Sequence, residues 1–215
     1  MLRPHELFRP ETVSEEQKRY LTERIKNVLS KLKETEPETA TGKEGTAMEK
    51  HLFLIGMQGC GKSSLGKRTA KETGVPFADT DAVVAQSAGG TVNDFFEKYG
   101  EEAFRRAETN ALAALTRAKP MIISTGGGTV MNPVNRHIMR TWGTIVLIDR
   151  PLEDILTDIK LDRRPTLRDG GLAEVERVYR ERIPVYRALA DITLKNDKGY
   201  HMAVYILTRL VRERL

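Results

Sequence analysis

A glycine-rich octapeptide constrains this chain more than any other feature. It reads GMQGCGKS, occupies residues 56–63 and directly follows a short apolar run at 52–55. The octapeptide satisfies G-x-x-x-x-G-K-[ST] and lies between a predicted buried strand and a predicted helix, the context that this pattern requires. Glycines let such a loop curl until its N–H groups converge, and the following helix adds the positive end of its dipole. The sequence therefore predicts a loop that binds nucleotide phosphates.

The side chains of this loop suggest how the nucleotide is held. The Lys62 ammonium is expected to reach the β- and γ-phosphates, and the Ser63 hydroxyl to ligate Mg²⁺, so ATP and Mg²⁺ are the expected cofactors. The residues assigned to nucleotide binding here are Gly59, Cys60, Gly61, Lys62, Ser63 and Ser64. Cys60 is the one cysteine of the chain. It is interpreted as a small loop-filling residue, with sensitivity to oxidation as the alternative.

Apolar runs alternate with helical patterns along the rest of the chain. Strands are predicted at 52–55, 75–78, 121–124, 144–148 and 191–194. Helices are predicted at about 62–73, 81–88, 91–98, 100–117, 133–141, 151–160, 173–189 and 199–213. Strands that alternate with helices form βαβ units and a parallel sheet covered on both faces. We therefore expect a three-layer α/β/α fold around a five-stranded parallel sheet.

The N-terminal part has a different pattern. A capping box at 14–17 precedes apolar residues at helical spacing, which predicts an amphipathic helix at about 14–33. Residues 34–48 are polar, contain Pro and Gly, and are typical of a flexible linker. We therefore divide the chain into a helical arm with its linker at 1–48 and a domain with the phosphate loop at 49–215. The arm helix packs on its own domain or on a second copy of the chain; a regulatory or docking role is the alternative.

Charge and composition limit the kinds of binding partner that we expect. Residues 1–50 carry ten basic and ten acidic side chains, so the net charge of +5 lies entirely in 51–215. A basic domain attracts anions such as nucleotides and carboxylates. The sequence has no basic run with interleaved aromatic residues, so binding of nucleic acid is not expected. No stretch approaches the roughly 18 apolar residues of a membrane span, and the N-terminus lacks the apolar core of a secretory signal. We expect a cytoplasmic monomer, with self-association through the arm helix as the alternative.

Five short motifs follow the phosphate loop. In order, they are DTD at 79–81, GEEAFRRAE at 100–108, STGGG at 124–128, RRPTL at 163–167 and RIPVY at 182–186. Their order and spacing resemble the shikimate kinase family, and the match covers about two thirds of the chain. The resemblance implies a nucleoside-monophosphate-kinase-like fold. It also implies transfer of the γ-phosphoryl group of ATP to shikimate, giving shikimate 3-phosphate on the route to chorismate and the aromatic amino acids.

The resemblance also implies roles at the transferring phosphate. Asp81, just past a strand, accepts the hydrogen bond of the substrate hydroxyl and can take its proton. Asp79 lies on the magnesium side and acts through a water molecule, with Ser124 near the same ion. Either aspartate could instead only cap the next helix. Arg164 lies in a predicted lid at about 160–173, where it would meet the transferring phosphate.

An acceptor-binding segment at about 81–110 completes the predicted site. The resemblance places Arg105 and Arg182 on the substrate carboxylate, for which the planar guanidinium is suited. Glu108 lies three residues after Arg105 and can orient it. Gly126, Gly127 and Gly128 end a strand and would let the backbone approach the substrate; a tight turn alone is the alternative.

Two positions depart from the family pattern. Thr166 stands where leucine is usual, and Thr157 stands where the family often has an arginine that stacks on adenine. Adenine is therefore expected to be held differently, and Asn196 after the last strand is a candidate on that side. Two other functions stay open at this point: a ligand sensor without catalysis, and a P-loop kinase for another small molecule, such as gluconate or a nucleoside monophosphate.

Overall fold

A computed structural model describes residues 50–158 and 171–214 of the chain, together with Glu23. The predicted arm helix and linker lie outside the described residues, apart from that single position. So do Lys160, Arg164, Thr166 and all of the predicted lid up to residue 170. The division of the chain into an arm at 1–48 and a domain at 49–215 therefore stays a prediction.

The five strands form one parallel sheet in the order β2-β3-β1-β4-β5. They are β1 (His51–Ile55), β2 (Phe77–Asp79), β3 (Ile122–Ser124), β4 (Gly143–Asp149) and β5 (Ile192–Lys195). Every residue of the central strand β1 is buried, as expected of a strand with helices on both faces. The predicted five-stranded parallel sheet is confirmed.

Seven helices connect and cover these strands in the described part of the chain. They are α1 (Lys62–Thr73), α2 (Thr80–Ala88), α3 (Val92–Leu115), α4 (Pro133–Trp142), α5 (Leu152–Asp158), α6 (Gly171–Leu189) and α7 (Tyr200–Arg214). The two helices predicted at 91–98 and 100–117 meet in α3, where Gly100 has φ 75° and breaks the helical geometry. None of the helices described is long and apolar enough to cross a bilayer.

The start of β2 differs from the prediction. The sequence pattern placed it at residue 75, but the strand begins at Phe77. Pro76 has no N–H group to donate to a neighbouring strand, and it contributes only its carbonyl, which accepts a hydrogen bond from the Ile122 N–H at 2.9 Å. The shift moves the end of the strand to Asp79, which is one of the predicted site residues.

Sheet order brings the predicted site residues together. The neighbouring strands β2, β3 and β1 all end at the same edge of the sheet, because the sheet is parallel. Asp79 at the end of β2 pairs in register with Ser124 at the end of β3, and Ser124 pairs with Leu54 in β1. The phosphate loop leaves β1 at this same edge. One edge of the sheet therefore carries three of the predicted motifs.

Candidate functional site

The phosphate loop opens onto a cavity of about 200 Å³ at the carboxyl ends of β1 and β2. Its lining consists of Gln58, Gly59, Gly61, Lys62, Ser63, Ser64, Asp79, Asp81, Thr125 and Gly127. Gly59 and Gly61 have φ values of 85° and 101°, in the left-handed region that other residues avoid. These two positions allow the loop to turn back around the start of α1. The loop and the acidic residues after β2 thus face one space.

Lys62 is the first residue of α1 and is only 7% exposed. Its Nζ atom donates to the carbonyls of Gly56 at 2.8 Å and Met57 at 2.9 Å. These contacts hold the ammonium group across the loop, at the wall of the cavity. A buried cation at the N-terminus of a helix creates a strongly positive potential, which favours the phosphates of a nucleotide.

Three oxygen-bearing side chains meet beside Lys62. The Ser63 hydroxyl donates to Oδ2 of Asp79 at 2.5 Å and lies 3.2 Å from Oγ of Ser124. The other carboxylate oxygen of Asp79 caps α2, since it accepts hydrogen bonds from the N–H groups of Asp81 and Ala82. Asp79 therefore caps α2 and also contacts the phosphate loop, and its predicted place on the magnesium side stays a prediction.

The donor chemistry of this cluster fits Mg²⁺. Hydroxyl and carboxylate oxygens are hard ligands, and Mg²⁺ commonly uses one or two protein oxygens together with water and substrate phosphates. Across residues 50–158 and 171–214, no group of three or more His, Cys, Asp or Glu side chains forms a closed metal site. The cluster is thus suited to an ion shared with a nucleotide.

Asp81 lies in the first turn of α2 and lines the same cavity. A Cβ atom added at Gly126 would lie 2.6 Å from Oδ1 of Asp81 and 2.4 Å from Oε1 of Glu108, closer than such atoms approach. Glycine at 126 therefore makes room for two carboxylates. This space is a further reason for glycine, besides the predicted approach of the backbone to a substrate.

Arg105 is held by two acidic side chains of its own helix. Its guanidinium donates to Glu108 at 2.7 Å and to Glu101 at 3.1 Å. Glu108 is 1% exposed and also accepts from the Thr129 hydroxyl at 2.6 Å, so its carboxylate is fixed. Burial disfavours the charged form of Arg105, but the Glu108 and Glu101 carboxylates outweigh burial and raise the pKa of the guanidinium. The predicted orienting role of Glu108 agrees with these contacts.

The guanidinium of Arg105 packs on the third glycine of the loop after β3. A Cβ atom at Gly128 would lie 2.5 Å from Nη1 of Arg105. The middle glycine, Gly127, lines the cavity and accepts a hydrogen bond from the buried hydroxyl of Tyr186. Burial raises the pKa of that hydroxyl well above its ordinary value, so Tyr186 stays a neutral donor. The glycine loop is thus held from both α3 and α6.

Arg182 lies one helical turn before Tyr186 on α6. Its Nε and Nη1 atoms are buried and have no hydrogen-bond partner among the side chains and backbone that the structure describes. Buried guanidinium nitrogens are normally satisfied, since leaving one unpaired costs about 1–3 kcal/mol or more. This unmet demand beside the glycine loop is the property expected of an anion-binding arginine.

Most of the predicted site residues meet at this edge of the sheet. Gly59, Gly61, Lys62, Ser63, Ser64, Asp79, Asp81 and Gly127 line the cavity, and Ser124, Gly126, Gly128 and Arg105 contact lining residues or residues beside them. Cys60 is fully buried and does not line the cavity; its Sγ atom lies 3.7 Å from Nζ of Lys62. Thr157 is exposed on α5, where its hydroxyl donates to the Glu153 carbonyl.

Sequence reasoning missed several residues of this site. Gln58 and Thr125 line the cavity. They were not singled out because Gln58 is at a variable position of its motif and Thr125 is a flanking residue. Tyr186 belongs to a recognised motif, but no sequence signal indicated its contact with Gly127, which is 59 residues away. Arg150 and Asn196 bind carbonyls of the phosphate loop over separations of 91 and 136 residues, and only the folded chain brings them there.

Comparison with known proteins gives a consistent result. Residues 58–211 match the family model described as "Shikimate kinase". A shikimate kinase from Paracidovorax citrulli is 38% identical over 159 residues, which cover 72% of this chain and 87% of the relative. A shikimate kinase from Clostridium beijerinckii is 36% identical over 168 residues, which cover 78% of this chain and 98% of the relative.

Solved structures agree with the sequence relatives. A structure described as shikimate kinase from Acinetobacter baumannii in complex with shikimate superposes with a TM-score of 0.70 at 30% identity, covering 77% of this chain and 95% of that one. The shikimate kinase from Aquifex aeolicus superposes with a TM-score of 0.62 at 34% identity, covering 74% of this chain and 95% of that one.

Proposed function

The chain belongs to the shikimate kinase family, and we propose which of its residues carry out the ATP-dependent phosphorylation of shikimate. The reaction moves the γ-phosphoryl group of ATP to a hydroxyl of shikimate and releases ADP. One observation carries the assignment of residues: Lys62, Ser63 and Asp81 line one cavity together with Gly127, and the helix that binds Gly127 through Tyr186 also carries an arginine with unsatisfied nitrogens. This arrangement suits two anionic substrates that are held end to end.

The phosphate loop forms the nucleotide end of this cavity. Backbone N–H groups of the loop and the Lys62 ammonium bind the phosphates of ATP and offset the charge that shifts toward ADP. Ser63, with Asp79 acting through water and Ser124 beside them, would hold Mg²⁺. When bound, the ion would neutralise negative charge on the phosphates. Asp79 also fixes the start of α2 and thereby the position of Asp81.

The acceptor end is built around the glycine loop after β3. The Arg105 guanidinium lies against Gly128, and Arg182 lies one turn before the tyrosine that binds Gly127. We assign the shikimate carboxylate to these two arginines, because a carboxylate satisfies buried guanidinium nitrogens with short charge-assisted hydrogen bonds. Glu108 and Tyr186 position the two sides of this acceptor site.

Asp81 is assigned to the substrate hydroxyl. The hydroxyl oxygen forms a bond to the γ-phosphorus while the bond from phosphorus to the ADP oxygen breaks, and the hydroxyl proton passes to Asp81. Lys62 stabilises charge on the phosphoryl group during this transfer. Arg164, which lies outside the described residues, is proposed for the same task from the lid segment. The protein forms no covalent bond to the substrates in this mechanism, so we attribute most of the rate acceleration to their positioning.

A coupled ADP-release assay tests the substrate. ADP release should depend on shikimate, whereas gluconate and nucleoside monophosphates should not increase it above the background ATPase rate. Arg105 and Arg182 beside the glycine loop favour a planar carboxylate on the acceptor, which supports the expected preference for shikimate. Gluconate also carries a carboxylate, so it is the stringent control. Turnover with gluconate alone would reassign the substrate, and ATP binding without turnover of any acceptor would support the sensor alternative.

Arg182→Ala is expected to raise the KM for shikimate about 10- to 100-fold, as the loss of a hydrogen-bonded charge partner implies. The KM for ATP should change little, because Arg182 lies on α6 beside the glycine loop and does not line the cavity. Steady-state kinetics with each substrate varied in turn measures the two constants. Arg180→Ala is the matched control, since that side chain on the same helix is 78% exposed. An unchanged KM for shikimate would refute the carboxylate assignment.

Three further properties stay predictions from the sequence. They are the monomeric state, the cytoplasmic location and the role of the arm at 1–48. The alternative of self-association through the arm helix at about 14–33 stays open with them.

A further inference from the structure

Two side chains that directly follow other strands bind carbonyl groups of the phosphate loop. Nη1 of Arg150 donates to the Gly59 carbonyl at 3.0 Å, and Nδ2 of Asn196 donates to the Cys60 carbonyl at 3.0 Å. Arg150 directly follows β4 and Asn196 directly follows β5. Consecutive peptide groups of the loop are therefore tied to the two strands on the same side of β1.

These contacts fix the direction of the loop's N–H groups. In a trans peptide the carbonyl and the following N–H point in opposite directions, so holding one aims the other. The Asn196 contact with the Cys60 carbonyl therefore turns the Gly61 N–H away from Asn196, toward the cavity that Gly61 lines. In the same way, Arg150 fixes the peptide whose N–H, from Cys60, closes the loop onto the Met57 carbonyl at 3.2 Å.

The Arg150 side chain and the Asn196 backbone are themselves held in place. Arg150 pairs through Nη2 with the Asp158 carboxylate at the end of α5. The backbone N–H of Asn196 donates to the Asp149 carbonyl at 2.8 Å. Gly61 leaves just enough room for Asn196, because a Cβ atom there would lie 3.2 Å from Nδ2. Groups fixed in advance lose little entropy when the nucleotide binds, which is the requirement for a positioning residue.

We propose that Arg150 and Asn196 are positioning residues for the nucleotide's phosphate chain: Asn196 directs the Gly61 N–H inward, and Arg150 holds the turn that closes the phosphate loop. The inference rests on the proposed function only in placing the phosphates in this loop. Both residues are assigned to the phosphates through the backbone. The adenine-side role that the sequence suggested for Asn196 stays a separate prediction.

The alanine variants of each residue test this assignment. Asn196→Ala and Arg150→Ala are each expected to raise the KM for ATP about fivefold to tenfold, since each removes one hydrogen bond that shapes the loop. The KM for shikimate should stay within about twofold. The ratio of kcat/KM for ATP over GTP should be unchanged, because the loop contacts no base. Arg150→Lys keeps one donor and is expected to recover part of the affinity.

Arg187→Ala is the matched control for Arg150. That arginine is 60% exposed, lies 3.6 Å from the Asp149 carboxylate and touches neither loop carbonyl. Asn196→Leu, which keeps roughly the size of Asn196 without its donor and adds no charge, serves if the alanine variant does not fold. A changed ATP-to-GTP ratio would mean that the residues read the base, and an equal rise in both KM values would mean general loosening; either outcome overturns the proposal.

Binding of MgADP, measured by titration calorimetry without an acceptor, separates this inference from the proposed function. A fivefold to tenfold weaker affinity in the variants supports the positioning role even if shikimate were not the substrate. Wild-type affinity for MgADP in both variants overturns it whatever the acceptor assay shows.

Discussion

Lys62→Ala is expected to lower kcat with shikimate by at least about a thousandfold, as the loss of a cation at the transferring phosphate implies. The Lys62 side chain is buried at the cavity wall and already lies across the phosphate loop. Among the described residues, no other lysine or arginine lines the cavity. Single-turnover measurement of ADP formation at saturating ATP and shikimate separates the chemical step from binding.

Lys71→Ala is the control for this variant. Lys71 is an exposed lysine in the last turn of the same helix, so its loss should leave turnover unchanged. Thermal melting of both variants shows whether the loop still folds, because Lys62 also satisfies the Gly56 and Met57 carbonyls. A folded Lys62→Ala protein that keeps a tenth of the wild-type kcat would contradict the role assigned to this lysine.

The sheet could be predicted from the sequence because each buried strand is a short apolar run flanked by glycine, proline or polar residues. The run before the phosphate loop became β1, and the four later runs became β2 to β5. The start of β2 could not be found in the same way. Val75 is apolar and β-branched, but the proline after it removes a donor, and the strand starts only at Phe77.

The candidate site was predictable where motifs are local. Lys62 and Ser63 belong to one octapeptide, and Asp79 lies directly after an apolar run. The local sequence pattern was therefore sufficient to select these three residues as candidates. The reason for glycine at 126 and 128 was only partly foreseen. We expected room for a substrate, and the structure shows that missing Cβ atoms also make room for carboxylates at 126 and for the Arg105 guanidinium at 128.

Contacts between distant parts of the chain were beyond sequence reasoning. Tyr186 lies on a helix surface by its spacing, and nothing local indicates that its hydroxyl would bind the glycine loop. Arg150 follows a strand and would pass for a surface arginine, yet it holds the phosphate loop. Such contacts depend on the order of strands in the sheet, which one sequence does not encode in any short motif.

Asp81→Asn is expected to lower kcat by about a hundredfold to ten-thousandfold, the range that general-base catalysis supplies. Asparagine has the same shape and still offers an oxygen that accepts the hydrogen bond of the substrate hydroxyl, but it cannot take the proton. Gly126 leaves space against Oδ1 of Asp81, so the replacement fits without displacing the loop. The KM for ATP should change little.

The size of this loss separates two roles of Asp81. If the carboxylate only positions the hydroxyl, asparagine substitutes for it and kcat falls by less than about tenfold. If the carboxylate accepts the proton, the loss persists at saturating shikimate and appears in single-turnover rates. Asp154→Asn, an exposed aspartate on α5, is the control and should retain wild-type kinetics. A folded Asp81→Asn enzyme with near-normal kcat would therefore exclude proton transfer to Asp81.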